Sequence, residues 1–139
     1  MKSFPLKIVT PDGLQYDGQA DELVVRTISG DMGIMAGHIN CVTALGMGKA
    51  LVISEGSRRE AACIGGMLSV LDGAVTLVPT TFEWADTIDV SRAEASEARA
   101  RKMLDDKSNL TSVELRLAEA RLKRALVRKS VAGDSRTHN

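Results

Sequence analysis

At 139 residues and 44% hydrophobic composition, the chain can bury one modest core but hardly two. The formal charge is zero, yet residues 1–90 hold six Lys/Arg against eleven Asp/Glu and residues 91–139 hold twelve against seven, so an acidic body carries a basic tail. No apolar run approaches the length of a membrane span, and the start MKSFPLKIV is too short and too polar for a signal peptide, which predicts a soluble, intracellular protein.

In chain order, residues 6–10 read as a strand, and Pro11-Asp12-Gly13 supplies a fixed φ, a turn-forming carboxylate and a permissive glycine. Residues 15–20 and 22–28 continue the strand pattern, the latter with Leu23, Val25 and Thr27 alternating against Val24, Arg26 and Ile28. Gly30, Gly33 and Gly37 are then expected to break any regular element. Residues 41–45 form another strand, followed by a glycine turn at Gly46 and Gly48. Residues 50–54 and 58–64 flank Glu55-Gly56-Ser57 as a hairpin. The clearest hairpin joins residues 67–71 and 74–78 through Asp72-Gly73, a two-residue loop whose positive φ angles suit the twist of paired strands. Leu68 and Val70 oppose Met67 and Leu71 across its pleat, so both faces are apolar and burial between two layers is expected. Eight to ten short strands with turns every 8 to 12 residues favour a β-sandwich or flattened barrel.

The architecture changes across Thr80 to Ala93. Upstream the chain is Gly-punctuated and rich in Val, Ile and Thr; downstream it is Ala, Arg, Glu and Leu with no glycine until Gly133. Ser91-Arg92-Ala93-Glu94 has the form of a capping box opening a helix over about residues 91–106, with a small-residue stripe of Ala93, Ala100 and Met103. Lys107-Ser108-Asn109-Leu110 is too polar to continue it. Thr111-Ser112-Val113-Glu114 is a second capping box, after which Leu115, Ala118, Leu122 and Ala125 recur at helical spacing. The expected fold is therefore α+β: a β-sandwich over residues 1–87, then an antiparallel two-helix hairpin over residues 88–139 with a frayed C-terminal end. An Ala-rich seam buries little area, so the hairpin must lean on a second surface, whether the sandwich, a ligand or another subunit.

The chemistry-bearing residues exclude more than they propose. Gly46-Met47-Gly48-Lys49-Ala50 fails as a phosphate loop, because Thr43 stands where that loop needs its first glycine and Ala50 where it needs Ser or Thr. His38 has no nucleophile constellation around it and reads as a structural loop residue. The pairs Asp105/Asp106 and Asp86/Asp89 read as surface acids or helix caps. Cys41 and Cys63 lack metal-ligand spacing and read as small buried thiols. No enzyme and no metal site emerges. Arg116, Arg121, Lys123, Arg124, Arg128 and Lys129 crowd the second helix, but the tail has no aromatic residue on which a base could stack, and nucleic acid is not an expected partner. These cations read either as a solvated face or as a positive surface for an acidic protein groove or a nucleotide phosphate.

In their order, the opening IVTPDG, the segment SGDMGIMAGHINCVTAL, the hairpin CIGGMLSVLDGAVTLV and the Ala/Arg-rich tail resemble the epsilon subunit family of bacterial F-type ATP synthases. The resemblance implies a β-sandwich bound to the foot of the rotating gamma subunit and touching the ring of membrane c subunits, with Gly30, Asp31, Gly33 and His38 in the rotor-facing loop. It further implies a helix pair that folds against the sandwich or extends among the alpha and beta subunits to block ATP hydrolysis, all at the cytoplasmic face of the bacterial plasma membrane. In some members the folded hairpin holds a regulatory ATP through Ile/Leu-Asp-x-x-Arg-Ala, which Ile88, Asp89, Arg92 and Ala93 match, and through Arg-x-x-Arg-Ala, which Arg121, Arg124 and Ala125 match. Two prolines common around the loop histidine are absent: Met35-Ala36 and Ile39-Asn40 stand there, which removes φ restraints. The alternatives from other classes are a free-standing nucleotide-sensing module and a nucleic-acid-binding adaptor.

Overall fold

A computed structural model describes residues 2–137, and the side chains among them except those of residues 107 and 134–137. Ten strands precede two helices: β1 (Phe4–Thr10), β2 (Gly13–Ala20), β3 (Glu22–Thr27), β4 (Gly30–Ile34), β5 (Cys41–Ala44), β6 (Met47–Ser54), β7 (Ser57–Ile64), β8 (Met67–Leu71), β9 (Ala74–Val78), β10 (Thr81–Trp84), α1 (Val90–Asp105) and α2 (Ser112–Thr137). The strands form two five-stranded sheets, ordered β2-β1-β9-β8-β5 and β10-β7-β6-β3-β4. Pairing is antiparallel except between β1 and β9. The sandwich expected from the strand count is thus present.

Strand alternation makes one core between the sheets. Phe4, Leu6 and Ile8 of β1, Leu68 and Val70 of β8, and Val75 and Leu77 of β9 meet Leu23 and Val25 of β3, Val52 of β6, Ala61 and Cys63 of β7, and Phe82 and Trp84 of β10. Trp84 closes one side: Phe82 meets its ring edge-on at 4.9 Å between centroids, and the Arg59 guanidinium lies 3.7 Å from its centre. Burial pushes the Cys63 thiol up to about 12, so this cysteine is an inert core residue, whereas Cys41 is only half-buried.

Several expectations are corrected. Gly30 and Gly33 do not break the chain but sit inside β4, an edge strand in which Gly33 pairs with Val24 and Gly30 with Thr27. Gly46 and Gly48 are not a turn either: Gly48 lies within β6, and a Cβ there would stand 2.6 Å from Arg26 Cβ, so glycine is required by close approach. The outer face of the β8–β9 hairpin is uncovered, because Leu68, Val70, Val75 and Leu77 fill the core while Met67 (45% exposed), Leu71 (61%) and Val78 (47%) face outward. The hairpin turns follow expectation: Asp72 and Glu55 take φ of 49° and 51° and each is followed by a positive-φ glycine.

The chain divides into two compact units between Trp84 and Ala85, since Ala85–Thr87 forms a 3₁₀ turn that packs on α2. The N-cap of α1 is Asp89 rather than Ser91: its Oδ1 accepts from the Arg92 backbone N–H at 3.0 Å, leaving Ser91 inside the first turn. Thr111 caps α2 as expected, its hydroxyl accepting from the Glu114 N–H at 3.1 Å. Ala93 and Ala100 of α1, and Ala118, Ala125, Val131 and Ala132 of α2, are buried in the second unit. The frayed end expected past α2 lies outside the described residues.

At Gly66 the chain passes between sheets with φ of 93°, and a Cβ there would fall on the Val78 carbonyl. Gly66→Ala should therefore lower stability by roughly 3 kcal/mol or more in denaturant unfolding. Gly73→Ala, where φ is 86° but nothing stands within 4 Å, should cost about 1–2 kcal/mol. Equal losses would mean that the corner relaxes around the added methyl.

Candidate functional site

Within the helical unit, the small seam brings α1 and α2 close and leaves their longer side chains to project beside it. On α1, Ser96 and Arg99 flank the Ala93–Ala100 seam; on α2, Arg121, Arg124 and Arg128 recur at spacings of three and four and so share one face. These five residues line a cleft of about 320 Å³, within the range of small-ligand sites. Among the described residues no carboxylate and no aromatic ring lines it. Four guanidiniums with a hydroxyl present planar donor forks suited to phosphate or carboxylate oxygens, and nothing on which a base could stack.

Beside the cleft an ion pair ties the helices together. Lys129 Nζ lies 3.0 Å and 3.2 Å from the two carboxylate oxygens of Glu97, whose side chain is only 13% exposed, and Arg101 Nε approaches the same carboxylate at 4.0 Å. Glu97 is thereby engaged with these two cations, outside the arginine cleft.

Of the six residues expected to hold a nucleotide, Arg121 and Arg124 line the cleft. Ile88 and Ala93 are buried, Asp89 spends its carboxylate on the helix cap, and Arg92 is exposed at the start of α1, outside the lining. Arg92 nonetheless precedes Ser96 by one turn, so it shares the Ser96–Arg99 face. Sequence reasoning missed Ser96 and Arg99 and counted Arg128 among the helix's cations but not in the nucleotide signature, although the spacing of Arg124 and Arg128 and that of Ser96 and Arg99 carry the signal.

Gly30, Asp31 and Gly33 stand on the edge strand β4 and His38 in the crossing that follows. Asp31 pairs with Arg26 at 3.5 Å, an exposed contact that contributes little. His38 donates its backbone N–H to the Met35 carbonyl at 3.2 Å, and its Nδ1 lies 2.8 Å from the Ile39 carbonyl. Among the described residues no group of three or more His, Cys, Asp or Glu could hold a metal, and no helix is long and apolar enough to cross a membrane.

Residues 3–85 match the ATP synthase delta/epsilon chain beta-sandwich domain, and residues 86–133 match the long alpha-helix domain of the same chain. The ATP synthase epsilon chain of Ruminococcus albus is 41% identical over 133 residues, covering 95% of this chain and 98% of that one. That of Bacillus velezensis is 40% identical, covering 96% and 100%. A chain in the mitochondrial ATP synthase of Euglena gracilis shares the fold, with a TM-score of 0.80 at 21% identity over 92% of this chain and 80% of that chain.

The Glu97–Lys129 pair makes a direct test of the hairpin's cohesion. Lys129→Met should destabilise the helices by about 1–3 kcal/mol, because it strips the nearer cation from a mostly buried carboxylate. The helical circular-dichroism melt should shift down accordingly, and adding Glu97→Gln should recover part of the loss. An unshifted melt would mean that the seam alone holds the helices.

Proposed function

The chain belongs to the ATP synthase delta/epsilon family, and on that footing we propose that it is the epsilon subunit of a bacterial F-type ATP synthase, a rotor component that performs no reaction of its own. The observation that carries the reading is the uncovered apolar face of the sandwich. Val42, Met67, Leu71 and Val78 are all exposed on the outer face of one sheet, and a contiguous apolar face of this kind marks a protein interface. Its occupant in this reading is the gamma subunit, while Gly30, Asp31, Gly33 and His38 face the ring of c subunits. The protein then sits peripherally at the cytoplasmic face of the bacterial plasma membrane. Purification of the native complex should return this chain with gamma, alpha and beta chains.

The arginine cleft supports a regulatory role for the tail. Guanidiniums contributed by both helices repel one another across the cleft, and a polyphosphate between them converts that repulsion into charge-assisted hydrogen bonds that hold the helices together. ATP is the ligand that the site is proposed to take, with Arg99, Arg121, Arg124 and Arg128 on the phosphates and Arg92 swinging in from the start of α1. Calorimetry on the isolated chain should show ATP binding that falls about tenfold or more in Arg124→Ala and in Arg92→Ala, as expected for charged hydrogen bonds. Wild-type binding in both variants would remove the site.

With an Ala-rich seam, closed and opened hairpins differ by a few kcal/mol, within reach of a ligand or partner. Opened, α2 offers Arg121, Lys123, Arg124 and Arg128 to acidic surfaces of the alpha and beta subunits and restrains ATP hydrolysis when ATP is scarce. Deleting the residues after Asp89 should raise hydrolysis by the purified complex at low ATP. Cross-linking Glu97→Cys to Lys129→Cys, which locks the helices closed, should do the same. Unchanged hydrolysis in both would leave the tail without an inhibitory role.

A further inference from the structure

Five passages carry the chain from one sheet to the other. Four are closed by backbone hydrogen bonds: the Asp21 N–H to the Ile53 carbonyl (2.7 Å), Leu45 N–H to Gly66 (2.9 Å), Gly65 N–H to Gly46 (3.0 Å) and Thr80 N–H to Gly65 (3.4 Å). The fifth, residues 35–40 between β4 and β5, has no such closure among the described residues. What ties it to a distant part of the chain is a side chain. Asn40 Oδ1 accepts from the Asp72 backbone N–H at 2.8 Å, and Asn40 Nδ2 donates to Asp72 Oδ1 at 3.3 Å.

The match is specific to the groups involved. Asparagine carries one acceptor and one donor on a short stem, and Asp72 presents one N–H and one carboxylate at the first position of the β8–β9 turn, held there by φ of 49°. An aspartate at 40 would keep the acceptor, lose the donor and set two carboxylates together. The clamp also lies where the apolar face ends: Ile39 (77% exposed) precedes Asn40, Val42 (69%) follows it, and Leu71 precedes Asp72.

We propose that Asn40 is a positioning residue: its paired hydrogen bonds with Asp72 weld the 35–40 crossing to the β8–β9 turn, so that Ile39, Val42 and Leu71 form one preorganised end of the docking face. The proposal rests on the reading of that face as the gamma-binding surface. A face whose loop is already ordered loses less freedom on docking than one whose loop must be ordered by the partner.

The test uses the full chain. Amide-exchange protection over residues 35–40 should fall about tenfold in Asn40→Asp and in Asn40→Ala, as expected for loss of two exposed hydrogen bonds. The double variant Asn40→Asp/Asp72→Asn should restore it, because the exchanged pair again offers an acceptor to the N–H of residue 72 and an amide donor to a carboxylate, and asparagine tolerates left-handed φ. Affinity for purified gamma subunit should fall and recover in step. Unchanged protection in both single variants, or no recovery in the double variant, would overturn the clamp. Altered protection with unaltered gamma affinity would overturn the positioning role alone. Failure of the wild-type chain to bind gamma would overturn the reading of the docking face, and the positioning role with it, while the exchange data would still decide the clamp.

Discussion

Everything in the sandwich depends on one corner where three of the crossings between sheets meet backbone to backbone. The chain leaves β5 at Leu45-Gly46, leaves β7 at Gly65-Gly66 and enters β10 after Pro79-Thr80, and these segments bond one another through Leu45 to Gly66, Gly65 to Gly46 and Thr80 to Gly65. Segments this close leave little room for Cβ atoms: a methyl at Gly46 would stand 3.1 Å from the Thr27 carbonyl oxygen, and one at Gly65 would stand 3.1 Å from the Thr80 hydroxyl. Because the backbone groups satisfy each other there, both sheets turn their inner faces to one core with little polar expense. The uncovered face of β8 and β9 follows from the same geometry, since a two-layer sandwich has no third layer to cover it.

The helical unit is built on the opposite principle. Its seam is mostly alanine, which lets two helices approach closely but removes little apolar surface from water at about 25 cal/mol per Å². Close approach also crowds cations. Arginines from both helices line one cleft while Glu97 and Lys129 pair beside it, so a weak apolar seam is supplemented by charge. A sandwich held by a dry core and a hairpin held partly by charge respond differently to salt, because screening acts over about 10 Å at 0.1 M on exposed charges and leaves the burial of apolar surface intact.

How much of this was legible follows from what each residue type can signal. Asp72-Gly73 and Glu55-Gly56 announced their turns because positive φ at consecutive positions is local information. Gly46 and Gly48 misled because glycine also marks close approach, and the neighbour that demands it, Arg26 against Gly48, lies 22 positions away in sequence; Gly33 has open space beside it and simply pairs within the edge strand. Met67 and Leu71 suggested a second covering layer because an apolar residue left exposed reads the same in sequence as one facing the protein's own core. Ser91 looked like the cap because the box pattern fits it, but Asp89, two residues earlier, already accepts from the Arg92 N–H and starts the helix ahead of it. The arginine signature found Arg121 and Arg124; Ser96 and Arg99 needed the helix pairing to be seen beside them.

The division of labour between the two units then has a physical reason. Apolar docking scales with buried area and does not depend on an anion, so under the proposed reading a sandwich bound through Val42, Met67, Leu71 and Val78 would stay bound whatever the tail does. A cleft lined by four arginines is the reverse, since an anion placed among guanidiniums offsets their mutual repulsion. Separate units with separate driving forces let one chain be a permanent part of an assembly and a responsive one. The zero net charge of the sequence conceals a division of sign, because the acidic excess lies in residues 1–90 and the basic excess in residues 91–139.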